Sequence, residues 1–265
     1  QNIKLTDTIV QKTGQGKNLI TNMEFTLKNF LRIFEANEFW SVIYATLFYT
    51  IFGTVGCLII GLFAALLLNI EFRGKSIIRG LFLFPYVAPV IAVAFTWVIL
   101  FDPFSGSVNA LLVQMSVIQT PINFFGQKPY ALIMVTVFEI WRYFPLSFLF
   151  ILARMQAIDN DMYEAAEMDG ATPFQLFWYL SLPTLMSILS ILFLLRFIWT
   201  FNKFDDIFLL TGGNANTRTL TVNVYEQAFA ISNIGAGAAV AVVIFAFLLI
   251  FSIVFFRYLN QEDGF

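Results

Sequence analysis

The chain has 265 residues, 59% of them hydrophobic and 12% charged, with 33 Phe, no His and a net charge of −2. A soluble domain usually carries about 25% charged residues, and a globule of this size cannot hide so much apolar side chain, so the composition reads as an integral membrane protein. The charge balance leaves no basic footprint for nucleic acid, and zero His with one Cys, Cys57, excludes a His-based metal site, a His-based triad and an intrachain disulfide.

Residues 1–39 show no clear chemistry and read as an extracytoplasmic N-terminal segment; the membrane domain is expected over 40–265. The string Gly14-Gln15-Gly16-Lys17-Asn18 fails the Walker A pattern at its first and last positions, so ATP hydrolysis would belong to another chain. Five apolar runs follow, each long enough for the roughly 20 residues that a bilayer core requires. The first is Ser41 to Leu68. The second, Ile77 to Phe101, contains Pro85 and Pro89 and is expected to kink near its start. The third, Tyr130 to Leu152, is interrupted by Glu139, Arg142 and Pro145, and the fourth, Pro183 to Phe201, carries Arg196. The fifth, Ile234 to Phe256, opens with Gly235-Ala236-Gly237-Ala238-Ala239, small residues that let helices approach closely in lipid. Continuous runs rather than alternating segments predict an all-α membrane bundle. A short surface helix is expected between Val108 and Ile118, after Gly106.

Arg73, Lys75 and Arg79 cluster in the connection after the first run, which places that side in the cytoplasm. The segments 102–128 and 202–233 are then outside, and 153–182 and the tail from Arg257 inside. Basic residues in the N-terminal segment conflict with this unless a further span precedes residue 1, which is the expectation.

The cytoplasmic segment 158–183 reads as two short helices joined by a glycine. Asp161 and Glu164 resemble a capping box, Gly170 takes the place of a left-handed helix stop, and Thr172, Pro173 and Gln175 start the second helix. Its apolar residues Met162, Tyr163, Met168, Phe174 and Phe177 stand among acids. One reading is a helix pair lying on lipid; the acidity of the segment disfavours anionic lipid and points to a protein partner.

The string Glu164-Ala165-Ala166, then Gly170, then Leu180-Ser181-Leu182-Pro183 resembles the EAA loop of ABC importer permeases, with Leu at 180 where Ile is usual. The flanks Asp169-Gly170-Ala171 and Asn202-Lys203-Phe204-Asp205 through Leu209-Leu210-Thr211-Gly212-Gly213 agree, whereas Asn214-Ala215-Asn216 departs from the usual Gly-Pro. The chain is similar to the carbohydrate branch of the family, within it the larger permease of the maltose-importer type. The resemblance implies the type I importer fold in the inner membrane. It also implies a core of two permeases and two ATPase subunits, an extracytoplasmic solute-binding protein, and no cofactor here, ATP and magnesium residing on the ATPase. It implies a coupling helix seated on that ATPase through Tyr163, Glu164, Ala165, Ala166, Asp169 and Gly170.

Glu139, Arg142 and Arg196 are ionisable residues inside apolar runs, costly there and functional by default. Glu139, Arg142 and Tyr143 share one helix face and the two charges can pair; Arg196, Thr200 and Lys203 share another. A buried ion-pair network that only fixes packing is one reading and a substrate cavity the other. Counting from shared motifs, the resemblance to the maltose-importer site lands on Glu139, Arg142, Tyr143, Arg196, Thr200 and Lys203, and the Pro85-Tyr86 pair adds Tyr86. Charged residues replace mostly neutral ones there, which argues against a neutral maltodextrin. A uronate oligosaccharide such as an alginate fragment fits the surplus of cations, and so does a sugar phosphate or glycerol phosphate. A stand-alone secondary transporter would show inverted repeats and leaves the 158–183 loop without a role. An intramembrane enzyme would rest on Asp205-Asp206, adjacent acids at a span end that read as solvated.

Overall fold

The computed structural model describes residues 27–35 and 37–262. Most of the expected segment 1–39 therefore lies outside the described residues. Its described part forms α1 (Lys28–Glu35), which packs on the last helix. Among the described residues the regular elements are all helical. They continue with α2 (Phe39–Asn69), α3 (Lys75–Val87), α4 (Val90–Leu100), α5 (Ser107–Gln114), α6 (Tyr130–Gln156) and α7 (Asn160–Met168). Then come α8 (Pro173–Phe201), α9 (Asp205–Thr211), α10 (Leu220–Tyr225) and α11 (Ile234–Glu262). Helices α2, α6, α8 and α11 are each long and apolar enough to cross a membrane, and α3 with α4 makes one further bent pair.

The bend between α3 and α4 is 89°, far sharper than the kink expected, and falls between them at Ala88 and Pro89. Pro89 has no N–H for the carbonyl of Pro85, and both Ala88 and Pro89 take extended ψ angles. The bent pair still carries the chain across. Glycines of α2 mark contacts with α6 that rise together in number, Gly53 with Glu139, Gly56 with Ile140, Gly61 with Ser147 and Phe148, so the two helices run parallel. A chain leaving the far end of α2 must return before it can start α6. Contacts to α8 run the other way, Gly53 with Thr200 and Ala64 in one cluster with Leu185, and α11 reverses again through Phe251 on Phe197 and Phe247 on Phe201. Five alternating crossings result, with Arg73, Lys75, Arg79, Arg154 and Arg257 at one end, the cytoplasmic one by the positive-inside rule. Arg79 there donates to the Leu68 carbonyl at 2.7 Å and closes the end of α2.

At Gly61 α2 meets the backbone of α6: a Cβ there would lie 2.7 Å from Ser147 Cβ and 2.8 Å from the Phe148 nitrogen. The small-residue start of α11 serves the same purpose against the segment after α10, with Ala236 and Ala239 buried. The short helix after Gly106 forms as expected, but its Asn109 is buried and holds the outer loop together, exchanging bonds with Ile122 at 2.8 and 3.0 Å.

The cytoplasmic loop forms its two helices and the glycine between them. Gly170 has φ +86°, its N–H reaches the Glu167 carbonyl and that of Ala171 reaches Ala166, the two bonds of a Schellman stop. Thr172 and Gln175 exchange the reciprocal bonds of a capping box. Two expectations need correction. Asp161 is not a cap: α7 begins at Asn160 after Asp159, neither acid makes a capping bond, and Asp161 acts within the first turn, where a negative charge suits the helix dipole. The fourth span does not begin at Pro183. Through a wider π-helical turn over Leu176–Ser181 the helix runs on from Pro173, and Leu182 N–H bonds Phe177. That turn absorbs the donor missing at Pro183.

Candidate functional site

The seven residues expected to face a solute come together on the outer half of the bundle. Glu139 on α6 is completely buried. Its carboxylate accepts from the Tyr49 hydroxyl of α2 at 2.9 Å, from the Thr200 hydroxyl of α8 at 3.0 Å, and from Arg196 of α8, with which it forms an ion pair. Gly53 makes this possible: a Cβ there would stand 3.1 Å from Glu139 Cγ and 3.4 Å from Thr200 Cγ2. A buried carboxylate is tolerable only when paired and hydrogen-bonded, and Glu139 has both.

Arg142 does not pair with Glu139, although they share a face. Its guanidinium turns to the bend, donating to the Pro85 carbonyl at 3.2 Å and the Ala88 carbonyl at 2.9 Å. Pro89 orphans the first of these and the break in the helix the second, so Arg142 supplies donors the backbone lacks. Its Nε also reaches the Tyr143 hydroxyl at 3.3 Å. Tyr143 is the hub of the cluster: Arg142 Cζ, Arg196 Cζ and Lys203 Nζ lie 5.5, 4.7 and 4.1 Å from its ring centroid. Lys203 also bonds its hydroxyl, and Tyr86, exposed on α3, meets its ring edge-on at 6.0 Å. Tyr86, Tyr143 and Lys203 keep some exposure, whereas Glu139, Arg142, Arg196 and Thr200 lie beneath them.

Two members of the cluster escaped sequence reading. Tyr49 sits in an uninterrupted apolar run and gave no signal. Asp206 read as a solvated acid, yet it is completely buried, 3.8 Å from Lys203. Its place three residues after Lys203 was the available clue. It lies on α9, outside the spanning helices, and burial followed by the neighbouring Glu139 charge pushes its carboxyl up to about 8. Asp205 beside it is half exposed, 3.5 Å from Lys203. Adjacent residues on a helix start point in different directions, so the pair forms no dyad.

On the cytoplasmic loop, Glu164, Ala165 and Asp169 are exposed and Ala166 is half-buried. The Tyr163 hydroxyl shares a 2.9 Å bond with Ser181 and ties α7 to α8. Met162, Met168 and Phe174 are exposed as expected, while Tyr163 and Phe177 are half-buried.

The chain matches the family described as "Binding-protein-dependent transport system inner membrane component" over residues 57–262. It is 37% identical over 238 residues to the inner membrane ABC transporter permease protein YcjO of Escherichia coli K12, covering 88% of this chain and 79% of that one. To the trehalose/maltose transport system permease protein MalF of Thermococcus litoralis it is 32% identical over 232 residues, 87% of this chain and 78% of the relative. To the sn-glycerol-3-phosphate transport system permease protein UgpA of Yersinia pestis it is 30% identical over 240 residues, 89% and 80%. A crystal structure of a bacterial ABC transporter involved in the import of the acidic polysaccharide alginate shares the fold, with TM-score 0.81 at 18% identity over 92% of this chain and 86% of that one. The alternating bundle and these matches agree, and the chain belongs to the binding-protein-dependent inner membrane permeases of ABC transporters.

Proposed function

We propose that this permease imports an oligosaccharide bearing carboxylates, a uronate such as an alginate fragment, by alternating access. The observation that carries this is the ring of Arg142, Arg196 and Lys203 around Tyr143, set against Glu139 and Asp205, which leaves a cationic surplus for an anionic solute to balance. Tyr86, Tyr143 and Lys203 would touch the sugar; Arg142, Arg196, Glu139 and Thr200 would set the charge and posture of that surface. Aromatic faces suit sugar rings, and their hydroxyls can still donate.

The energy would come from elsewhere. A second permease and two ATPase subunits would complete the core, ATP and magnesium would be held on the ATPase, and a solute-binding protein would deliver the sugar from outside. Tyr163, Glu164, Ala165, Ala166, Asp169 and Gly170 would seat the loop on one ATPase. Because one unbroken helix runs from Pro173 through the π turn at Leu176–Ser181 to Phe201, displacement at Phe174 would be carried along α8 to Arg196 and Thr200. Import of a sugar phosphate or glycerol phosphate is the second reading. The same cations suit a phosphate, and the relative UgpA is named for sn-glycerol-3-phosphate transport.

The test is ATPase activity of the reconstituted complex with its binding protein, titrated in parallel with uronate oligomers, neutral maltodextrins and glycerol phosphate. Stimulation by uronate oligomers alone is expected. Stimulation by glycerol phosphate alone selects the second reading, and stimulation by neutral sugar returns the arginines to structural pairing.

A further inference from the structure

Asp206 takes no part in the function proposed above, and its surroundings are unusual for an acid. Its side chain is fully buried, and neither carboxylate oxygen has a hydrogen-bond partner among the described residues. The group it faces is Glu139, whose own oxygens already accept from Tyr49, Thr200 and Arg196. Two carboxyl groups side by side without a donor between them call for a proton.

The other neighbours do not remove that need. From α2 comes Tyr49, committed to Glu139; from α6 come Glu139 and Tyr143; from α8 comes Arg196, also committed to Glu139. Lys203 is the cation on Asp206, at 3.8 Å, and is shared with Tyr143 and Asp205. Helix α4, which packs against α9, has no titratable side chain in Val90–Leu100.

We propose that Asp206 is a specificity-determining residue that carries a proton in the resting permease, shares it with Glu139 in a hydrogen bond in which the Asp206 O–H donates and the Glu139 carboxylate accepts, and thereby sets the charge of the solute face. With Asp206 neutral, Arg142, Arg196 and Lys203 against Glu139 and the Asp205 carboxylate beside Lys203 leave a surplus of one positive charge; with Asp206 ionised the surplus is gone. The protonated form favours a solute that carries carboxylate over a neutral one. This rests on the acidic-solute reading for its consequence, but the proton itself does not.

The experiment therefore has two arms on the assembled transporter. Infrared difference spectra between buffers near pH 6 and pH 9, the range spanning a raised buried carboxyl, follow the protonated carboxyl band. The band should vanish on the alkaline side in the natural protein and in Asp205→Asn, and be missing throughout in Asp206→Asn. Its persistence in Asp206→Asn, or its absence from the natural protein, overturns the proposal. Should Asp206→Asn not assemble, Lys203→Gln decides: removing the cation must move the transition to higher pH, and an unmoved transition is a refutation. The second arm measures the half-saturating concentration for binding protein loaded with uronate oligomer. One unit charge at ~10 Å and an effective dielectric near 20 gives roughly a tenfold rise across the same range, absent in Asp206→Asn. Equal profiles in both proteins refute the tuning role. A transporter that ignores uronates refutes the solute reading while the infrared arm still decides the proton.

Discussion

Removing the charge of Glu139 separates a packing device from a transport site. In Glu139→Gln the amide keeps an acceptor for Thr200, but Arg196, 3% exposed, loses its carboxylate in a place too buried for bulk solvent to offset the loss. Arg196→Met leaves the converse, a buried carboxylate held by Tyr49 and Thr200 hydroxyls. Breaking one partner of a buried pair costs about 3–5 kcal/mol, whereas replacing both is often near neutral. The two single variants should each lower the thermal midpoint of the purified complex by roughly 6–20 °C, at about 2–4 °C per kcal/mol for a chain near this size. Glu139→Gln with Arg196→Met should recover most of that loss, a coupling well beyond the ~0.5 kcal/mol scatter expected of independent sites. Equal or additive losses in the double variant would refute the pairing. Import is then read on the recovered protein. If the ion pair serves only to join α6 to α8, transport returns with stability; if its charge helps to receive the solute, stability returns and transport does not.

Other perturbations follow from the same geometry. Arg142→Met strips donors from the Pro85 and Ala88 carbonyls; at about 1–3 kcal/mol for each buried group left unsatisfied, the complex should lose stability in a melt, and Arg142→Lys should recover only part because an ammonium lacks the planar fork. Gly61→Val drives side-chain atoms into Ser147 and the Phe148 backbone and should abolish assembly on gel filtration, whereas Gly80→Ala, with nothing within 4 Å of the new Cβ, should be tolerated. Gly170→Ala also meets nothing within 4 Å, so its cost is the backbone strain of φ +86° alone, about 1–2 kcal/mol; we expect weakened capture of the ATPase subunit with the melt of the bundle little changed. Asp206 keeps its proton above the ordinary carboxylate range, so the folded state binds more protons and its stability falls as pH rises from the unfolded value toward the folded one. Asp206→Asn should therefore gain in thermal midpoint over the natural protein in alkaline buffer relative to acid buffer.

The spans, the cytoplasmic helix–glycine–helix loop, the Thr172 cap and the faces bearing Glu139–Arg142–Tyr143 and Arg196–Thr200–Lys203 were legible in the sequence. Each depends on interactions reaching no further than one helical turn, or on an apolar length that water and lipid judge directly. Which charge meets which was not legible. Glu139 took Arg196, 57 positions away, over Arg142 three positions away, because Gly53 and Gly61 let α2 draw the helices together around it and because the bend at Pro89 claimed Arg142 for its stranded carbonyls. The burial of Asp206 likewise needed α9 to fold back against the bundle. Polarity in sequence places a residue in or out of the membrane; whether a charge there is paired, shared or protonated depends on desolvation and on partners brought by other helices, and those exist only once the tertiary packing has formed.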